Sequence, residues 1–169
     1  MSEEQQRLRG YLQTQAAKLS VVELTEKVRS DMDQVRAAAA GVPADRFCDR
    51  PAEQEWSANE IMAHVLDGAA GVARAIVAVL DTGATPGPLF DRIETTDDRR
   101  TAGEWWSALV VERDGLFERV KAATGDEHLD VTWQHPFFGP LNWREWLLFL
   151  RVHDLDHARQ IAAISAAAV

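Results

Sequence analysis

Two histidines interrupt the apolar face of the last helix that the sequence predicts. His153 and His157 are four residues apart and therefore lie about one turn apart on the same face. They continue an apolar stripe with steps of three or four residues, formed by Trp143, Trp146, Leu150, Ile161 and Ile164. A buried imidazole without a partner costs free energy. The commonest way to satisfy two such rings is one metal ion that both of them bind.

A structural histidine pair is the alternative interpretation. Carboxylates such as Asp154 and Asp156 could hold two core histidines without a metal, and the spacing alone is a weak signal in a chain with five histidines. A third histidine, His64, lies on or beside the apolar face of another predicted helix, although a half-exposed histidine fits that periodicity equally well. Three histidines would leave one or more positions open to water or substrate, as expected of a reactive metal.

Two polar residues near these histidines are candidates for further roles. Asp67 follows His64 by three residues and could orient a histidine, accept a proton from bound water or simply face solvent. Gln160 follows His157 by three residues and could line a pocket floor. Asp156 is predicted to point away from the stripe as a solvated charge.

The other histidines and the cysteine carry weaker signals. His128 and His135 lie in the loop before the last helix, where histidines are usually surface residues, and His135 is a candidate for a pocket rim. Cys48 is the only cysteine, so no internal disulfide can form. It has no CxxC neighbour and is predicted to be a packing residue rather than a nucleophile or ligand.

Charge and composition narrow the classes of partner. The formal net charge is −9 over 169 residues and the basic residues are scattered, which argues against binding to nucleic acid. We find no secretory leader and no apolar run long enough to span a membrane. Together with the single cysteine, this predicts a cytoplasmic protein without a membrane partner.

The elements that must position these residues are four helices, each with the same start signal. A serine, threonine or asparagine is followed three residues later by glutamate, as in a capping box. The four pairs are Ser20 and Glu23, Ser57 and Glu60, Thr101 and Glu104, and Asn142 and Glu145. Apolar periodicity follows each pair, which predicts helices at about 20–39, 57–81, 101–124 and 142–168. The best strand candidate, 129–133, is short, so we expect an all-α four-helix bundle over residues 20–169.

Two connections complete the predicted architecture. The segment 82–100 could reach roughly 60 Å when extended, against about 37 Å for a helix of 25 residues. A long crossover between parallel helices two and three is therefore possible. Residues 1–19 are predicted to form a helical arm with Leu8, Tyr11, Leu12 and Ala16 on one side. Such a short helix needs a surface, either its own bundle or a symmetry-related copy, and we expect a homodimer.

Two segments resemble the signatures of the DinB-like superfamily. Residues 55–67 read EWSANEIMAHVLD, and residues 135–146 read HPFFGPLNWREW, followed by HDLDHARQI at 153–161. The resemblance covers about residues 20–168 and leaves the arm outside. It implies a four-helix bundle with a long crossover, often a dimer, and a divalent metal, commonly zinc or nickel. Carried over by motif, the implied ligands are His64, His153 and His157.

The resemblance also implies two alternative functions. Characterised members include thiol-dependent transferases and isomerases, in which the metal activates a low-molecular-weight thiol such as mycothiol or bacillithiol. This chain would then be a metal-dependent enzyme that transfers a thiol group, isomerises a thiol adduct or hydrolyses a substrate. The alternative is a non-catalytic metal-binding protein in assembly or stress response. No basic cluster marks a site for an acidic thiol cofactor, and Arg159, beside the HxxxH motif, is the best single contact for an anion.

Overall fold

The computed structural model describes residues 2–89 and 96–167, and these residues form five helices and two short strands. The helices are α1 (Glu3–Lys18), α2 (Val21–Ala40), α3 (Ala58–Thr82), α4 (Ala102–Lys121) and α5 (Trp143–Ala167). The strands are β1 (Thr132–His135) and β2 (Gly139–Asn142). The all-α expectation is therefore confirmed for most of the described chain, but it was wrong to leave out the strands.

The predicted start signals do begin the helices. Ser20, Ser57 and Thr101 each accept a hydrogen bond from the backbone amide three residues later, and the glutamate at that position bonds back. Asn142 does the same for α5, since its Oδ1 accepts from the amide of Glu145 at 3.1 Å. These caps satisfy amides that have no partner within the helix. A fifth capping box, Ser2 with Gln5, begins α1 and was not predicted.

Helices α3 and α4 run parallel, because contacts join their starts and also their ends. At the starts, the Oδ1 of Asn59 accepts from the amide of Arg100 at 3.1 Å and from Nε1 of Trp105 at 2.8 Å. At the ends, Arg119 pairs with Asp81 at 2.7 Å. The connection between these helices therefore leaves from one end of the pair and enters at the other, as expected of a crossover.

Helices α2 and α5 also run parallel, whereas α3 runs antiparallel to α5. Ser165, near the end of α5, donates to the carbonyl of Gly41, which follows α2. Arg144, at the start of α5, donates to the carbonyls of Ala16 and Leu19, which precede α2. Helix α3 packs against both α4 and α5. Its first turns lie opposite the second half of α5, so the predicted histidines of the two helices can meet.

The two strands form an antiparallel hairpin ahead of α5. Trp133 pairs with Leu141, and residues 136–138 connect His135 to Gly139. Gly139 has a φ of 73°, a left-handed conformation that glycine adopts without steric cost. Trp133 stacks on Trp146 of α5, with ring centroids 5.3 Å apart. The hairpin is thereby fixed to the helix that carries His153 and His157.

The N-terminal arm packs on its own chain. Leu12 and Ala16 are buried, and Leu8 and Tyr11 pack against the core. The hydroxyl of Tyr11 accepts from Nη1 of Arg151 on α5 at 3.0 Å. The apolar side of the arm is therefore covered within one molecule, so it gives no argument of its own for a second copy.

The expectation that no apolar run is long enough to span a membrane was wrong for helix α3. By length and composition alone, its 25 residues would suffice, since an 18-residue window reaches a mean hydropathy of 1.5. Half of that window is buried inside the protein, which is the character of a core helix. The absence of a membrane partner stays a prediction.

Candidate metal centre

The three predicted histidines come together between α3 and α5. The Nε2 atoms of His64 and His153 are 3.2 Å apart, and one ring nitrogen from each of the three histidines lies within 4.8 Å of the others. The ring of His157 lies 4.8 Å from that of His64 and 4.4 Å from that of His153, centroid to centroid. Helical spacing places two of these rings one turn apart on α5, and the antiparallel packing of α3 brings the third.

This arrangement fits the donor set of a divalent metal. Two nitrogens that bind one ion at about 2.0–2.1 Å in a tetrahedral arrangement would be roughly 3.3 Å apart. The observed separation of 3.2 Å between the two Nε2 atoms is close to that value. Imidazole is a suitable ligand for zinc, nickel and other first-row metals.

Two of the rings are neutral near pH 7, as metal binding requires. Burial lowers the pKa of His64 to about 4, and a charge on His153 would lower it as well. Burial lowers the pKa of His157 to about 3, and the neighbouring His153 and His64 act in the same direction. Each of these neutral rings therefore has a free lone pair on one of its two nitrogens.

A chain of two hydrogen bonds orients His157. Its Nδ1 lies 3.2 Å from Oε1 of Gln160, and an amide oxygen can only accept, so Nδ1 carries the proton. Nε2 of Gln160 in turn donates to Asp156 at 2.8 Å. With Nδ1 protonated, Nε2 of His157 is left as the metal-binding atom. Support of this kind is typical of histidine ligands.

A buried ion pair lies behind His153. Asp154 is 0% exposed and accepts from Nη2 of Arg113, which is 1% exposed, at 2.8 Å to each of its carboxylate oxygens. Nδ1 of His153 is buried and, among the described residues, has no hydrogen-bond partner. Asp154 Oδ1 lies 3.8 Å from that nitrogen. Asp154 is therefore the carboxylate next to Nδ1 of His153, as in the alternative in which carboxylates hold the two histidines.

Gly68 leaves space beside the cluster. It lies one turn after His64 on the same side of α3, and a Cβ atom there would lie 3.4 Å from Cε1 and 3.6 Å from Nε2 of His153. These distances are ordinary van der Waals contacts, so a methyl group would fill the space without displacing the ring. With glycine, the space next to this ring edge is open.

Two predicted site residues lie at the surface. Asp67 and Arg159 are both exposed, and no contact that the structure describes joins either of them to the three histidines. Gln160, by contrast, is hydrogen-bonded to His157. The catalytic role of Asp67 and the anion-binding role of Arg159 therefore stay predictions.

His135 was wrongly placed at the surface by the sequence. It is 4% exposed and packs against Phe138 and Phe149, with centroid distances of 4.5 and 4.4 Å. Its Nδ1 accepts from the amide of Phe137 at 3.1 Å, so the proton lies on Nε2. Burial lowers its pKa to about 4, with a contribution from His153. The glycine and two prolines around the aromatic run at 136–140 were the signal that this loop is a tight hairpin.

The helical fold and the histidine cluster define the class of protein: a mostly helical chain with a candidate three-histidine metal centre between two antiparallel helices. Residues 24–161 match the DinB superfamily, and the chain belongs to that superfamily. This match confirms the resemblance seen in the sequence, and it begins after α1. No curated protein matches the chain.

Proposed function

We propose that this chain is a metal-dependent enzyme in which His64, His153 and His157 bind one zinc or nickel ion. When bound, such an ion would lower the pKa of a coordinated thiol or water, so that a nucleophile is available near neutral pH. The reaction would be thiol-group transfer, a related isomerisation or hydrolysis. Within this proposal, α2 to α5 form the family's four-helix bundle, and the protein is cytoplasmic and dimeric.

The observation that carries the proposal is the convergence of three nitrogen ligands next to open space. Of the residues that the structure describes, only these three histidines make up the candidate ligand group. A structural metal site usually has four protein ligands, whereas three ligands leave a position for water or substrate. Gly68 keeps the space beside His153 free. The geometry therefore favours a reactive site over a closed structural one.

The chain's own residues would have three roles in such a site. Gln160 holds the proton on Nδ1 of His157 and so keeps Nε2 available. The negative charge of Asp154, 3.8 Å from Nδ1 of His153, would favour the proton on that nitrogen and leave Nε2 for the metal. Asp67, one turn from His64 and in contact with solvent, would exchange a proton with the nucleophile or product.

Metal analysis and titration test the first part of the proposal. Protein purified without a histidine tag should contain close to one equivalent of zinc or nickel, or take it up on reconstitution. His157→Ala should weaken the affinity at least tenfold, because one of three ligands is lost. His128→Ala is the control, since His128 is exposed in the loop before β1 and lies outside the cluster. Equal affinities for both variants would contradict the site.

Glycine substitutions test whether the metal has an open position. Gly68→Ala should leave metal affinity nearly unchanged but weaken the binding of 2-mercaptoethanol to the cobalt-loaded protein at least tenfold, because the methyl group fills the space beside His153. Gly71→Ala is the matched control in the same helix, since a Cβ atom there would meet nothing within 4 Å. Sulfur-to-cobalt absorption measures the binding. If no thiol binds to the wild-type metal protein, the non-catalytic alternative is favoured.

A further inference from the structure

A cleft lies at the end of the molecule where α3 begins and α5 approaches its end. Its volume is about 460 Å³. Its walls include Trp56 from the segment before α3, Ile61 from the first turn of α3, and Ala163 and Ile164 from the last turns of α5. The sequence suggested Gln160 as part of a pocket floor, and Gln160 is one of the residues that line this cleft.

The cleft lies next to the histidine cluster, because two of its lining residues, Gln160 and Trp56, are neighbours of His157 and His64. Ile61 lies one turn before His64 on the same face of α3, so the wall of the cleft continues into the site. Gln160 lines the cleft and also accepts from Nδ1 of His157. The ring of Trp56 lies 5.2 Å from the ring of His64. A molecule that binds at the three histidines could therefore extend past Trp56 into the cleft.

The lining defines the chemistry of the group that the cleft would accept. Trp56, Ile61, Ala163 and Ile164 offer apolar surface, and Glu55 is the one ionisable residue among the described lining residues. The nearby guanidinium of Arg50 already pairs with Glu60 at 2.5 Å. No cation is therefore available in the lining for an acidic group, while an uncharged apolar group would remove apolar surface from water.

We propose that this cleft binds the uncharged, apolar part of a substrate whose polar end reaches the three histidines. The inference rests on the proposed function, because the metal supplies the second point of attachment. It assigns the substrate class as small molecules with an alkyl or aryl group of a few carbons next to a metal-binding thiol or oxygen. A carboxylate on the tail is disfavoured by Glu55.

A series of alkanethiols tests the inference on the cobalt-loaded full-length protein. Ethanethiol, butanethiol and hexanethiol are titrated while the sulfur-to-cobalt absorption is followed. We expect the affinity to rise about threefold to fourfold per added methylene, the gain that burial of one CH₂ provides. A thiol that carries a terminal carboxylate, of the same length as butanethiol, should bind at least tenfold more weakly than butanethiol.

Two substitutions on α5 separate the cleft from general hydrophobic binding. Ala163→Phe fills the cleft and should remove the dependence on chain length while leaving ethanethiol affinity within about twofold of the wild type. Ala162→Phe is the matched control, because Ala162 is the exposed neighbour on the same helix and does not line the cleft. It should retain the full dependence.

The outcomes distinguish failure of the cleft from failure of the proposed function. If ethanethiol binds to the metal but affinity does not rise with chain length, the cleft assignment is overturned while the open metal site stands. The same follows if Ala163→Phe and Ala162→Phe behave alike. If the cobalt spectrum shows bound metal but no thiol changes it, both the thiol chemistry and the substrate class are overturned.

Discussion

Breaking the buried ion pair between α4 and α5 should destabilise the protein more than almost any other single change. Arg113 and Asp154 are 1% and 0% exposed, and Nη2 of Arg113 donates to both carboxylate oxygens at 2.8 Å. Nε and Nη1 of Arg113 are buried and, among the described residues, have no partner. Burial lowers the pKa of this guanidinium and Asp154 raises it, so the carboxylate is what stabilises the charge in the core.

The size of the expected loss in unfolding free energy follows from the burial of both side chains. Removal of one member of a buried pair leaves an uncompensated charge in the core and typically costs about 3–5 kcal/mol. We expect that loss of unfolding free energy for Asp154→Leu and for Arg113→Met. Replacement of both members by apolar residues of similar volume is often nearly neutral. The double variant Arg113→Met with Asp154→Leu should therefore lie within about 1 kcal/mol of the wild type.

Urea unfolding of the four proteins in a double-mutant cycle measures this coupling. The two single losses together greatly exceed the loss in the double variant if the pair acts as we infer. Single losses under about 1 kcal/mol, or a double loss equal to their sum, would refute the reasoning. The slopes of the unfolding curves need to agree among the variants for the comparison to hold.

The same double variant tests the support of His153. Its stability should be restored, but Nδ1 of His153 has lost its nearest carboxylate, Asp154. Loss of such a partner typically lowers metal affinity about 10- to 100-fold. A double variant with wild-type stability and unchanged metal affinity would show that Asp154 serves only the ion pair.

Three other predictions concern the fold. Asn59→Ala should cost about 2–4 kcal/mol in urea unfolding, because the side chain makes three hydrogen bonds that hold the crossover to α3 and α4; a loss below 1 kcal/mol would contradict this. Burial acts to raise the pKa of Glu127, but hydrogen bonds from the amides of Thr124 and Gly125, together with its own, lower it to about 2. The contribution of Glu127 to the free energy of unfolding is therefore complete above its unfolded pKa of about 4.3 and is lost as the pH falls towards 2. Glu127→Gln should flatten the decline in stability between these two pH values. Light scattering should give the mass of a dimer for the full chain, and a full-length monomer at micromolar concentration would contradict this. Deletion of residues 1–18 should lower the melting temperature without dissociating the dimer, because α1 packs on α5 of its own chain.

Local signals explain why the helices and the histidine cluster could be predicted. A capping box joins residues three apart, and an apolar stripe repeats every three or four residues, so both are visible within one segment. The pairing of His153 with His157 follows from that periodicity. The periodicity around His64 fits a ligand and a half-exposed histidine equally well, so the family motif was needed to add it to the cluster. Only the packing of α3 on α5 shows that its ring reaches the other two.

The hairpin could not be predicted from the same signals. Its strands have four residues each, too short for alternation to stand out, and they depend on Trp133 stacking against Trp146 in another element. Because the hairpin was not predicted, there was no reason to expect His135 to be buried. Long-range packing of this kind is not recorded in the local pattern.

The buried ion pair also had a local signal in the sequence, although the pair was not predicted. Helix α4 carries Leu109 and Leu116 on its buried stripe. Arg113 lies on the same stripe, four residues after Leu109 and three residues before Leu116. On α5, Asp154 follows the buried Leu150 by four residues. A charge on an apolar stripe requires a partner for the same reason that a buried imidazole does. Two neighbouring helices with buried charges of opposite sign can satisfy both charges by facing each other. The position of Arg113 on the apolar stripe of α4 therefore predicts a carboxylate partner, and the structure shows that this partner is Asp154 of α5.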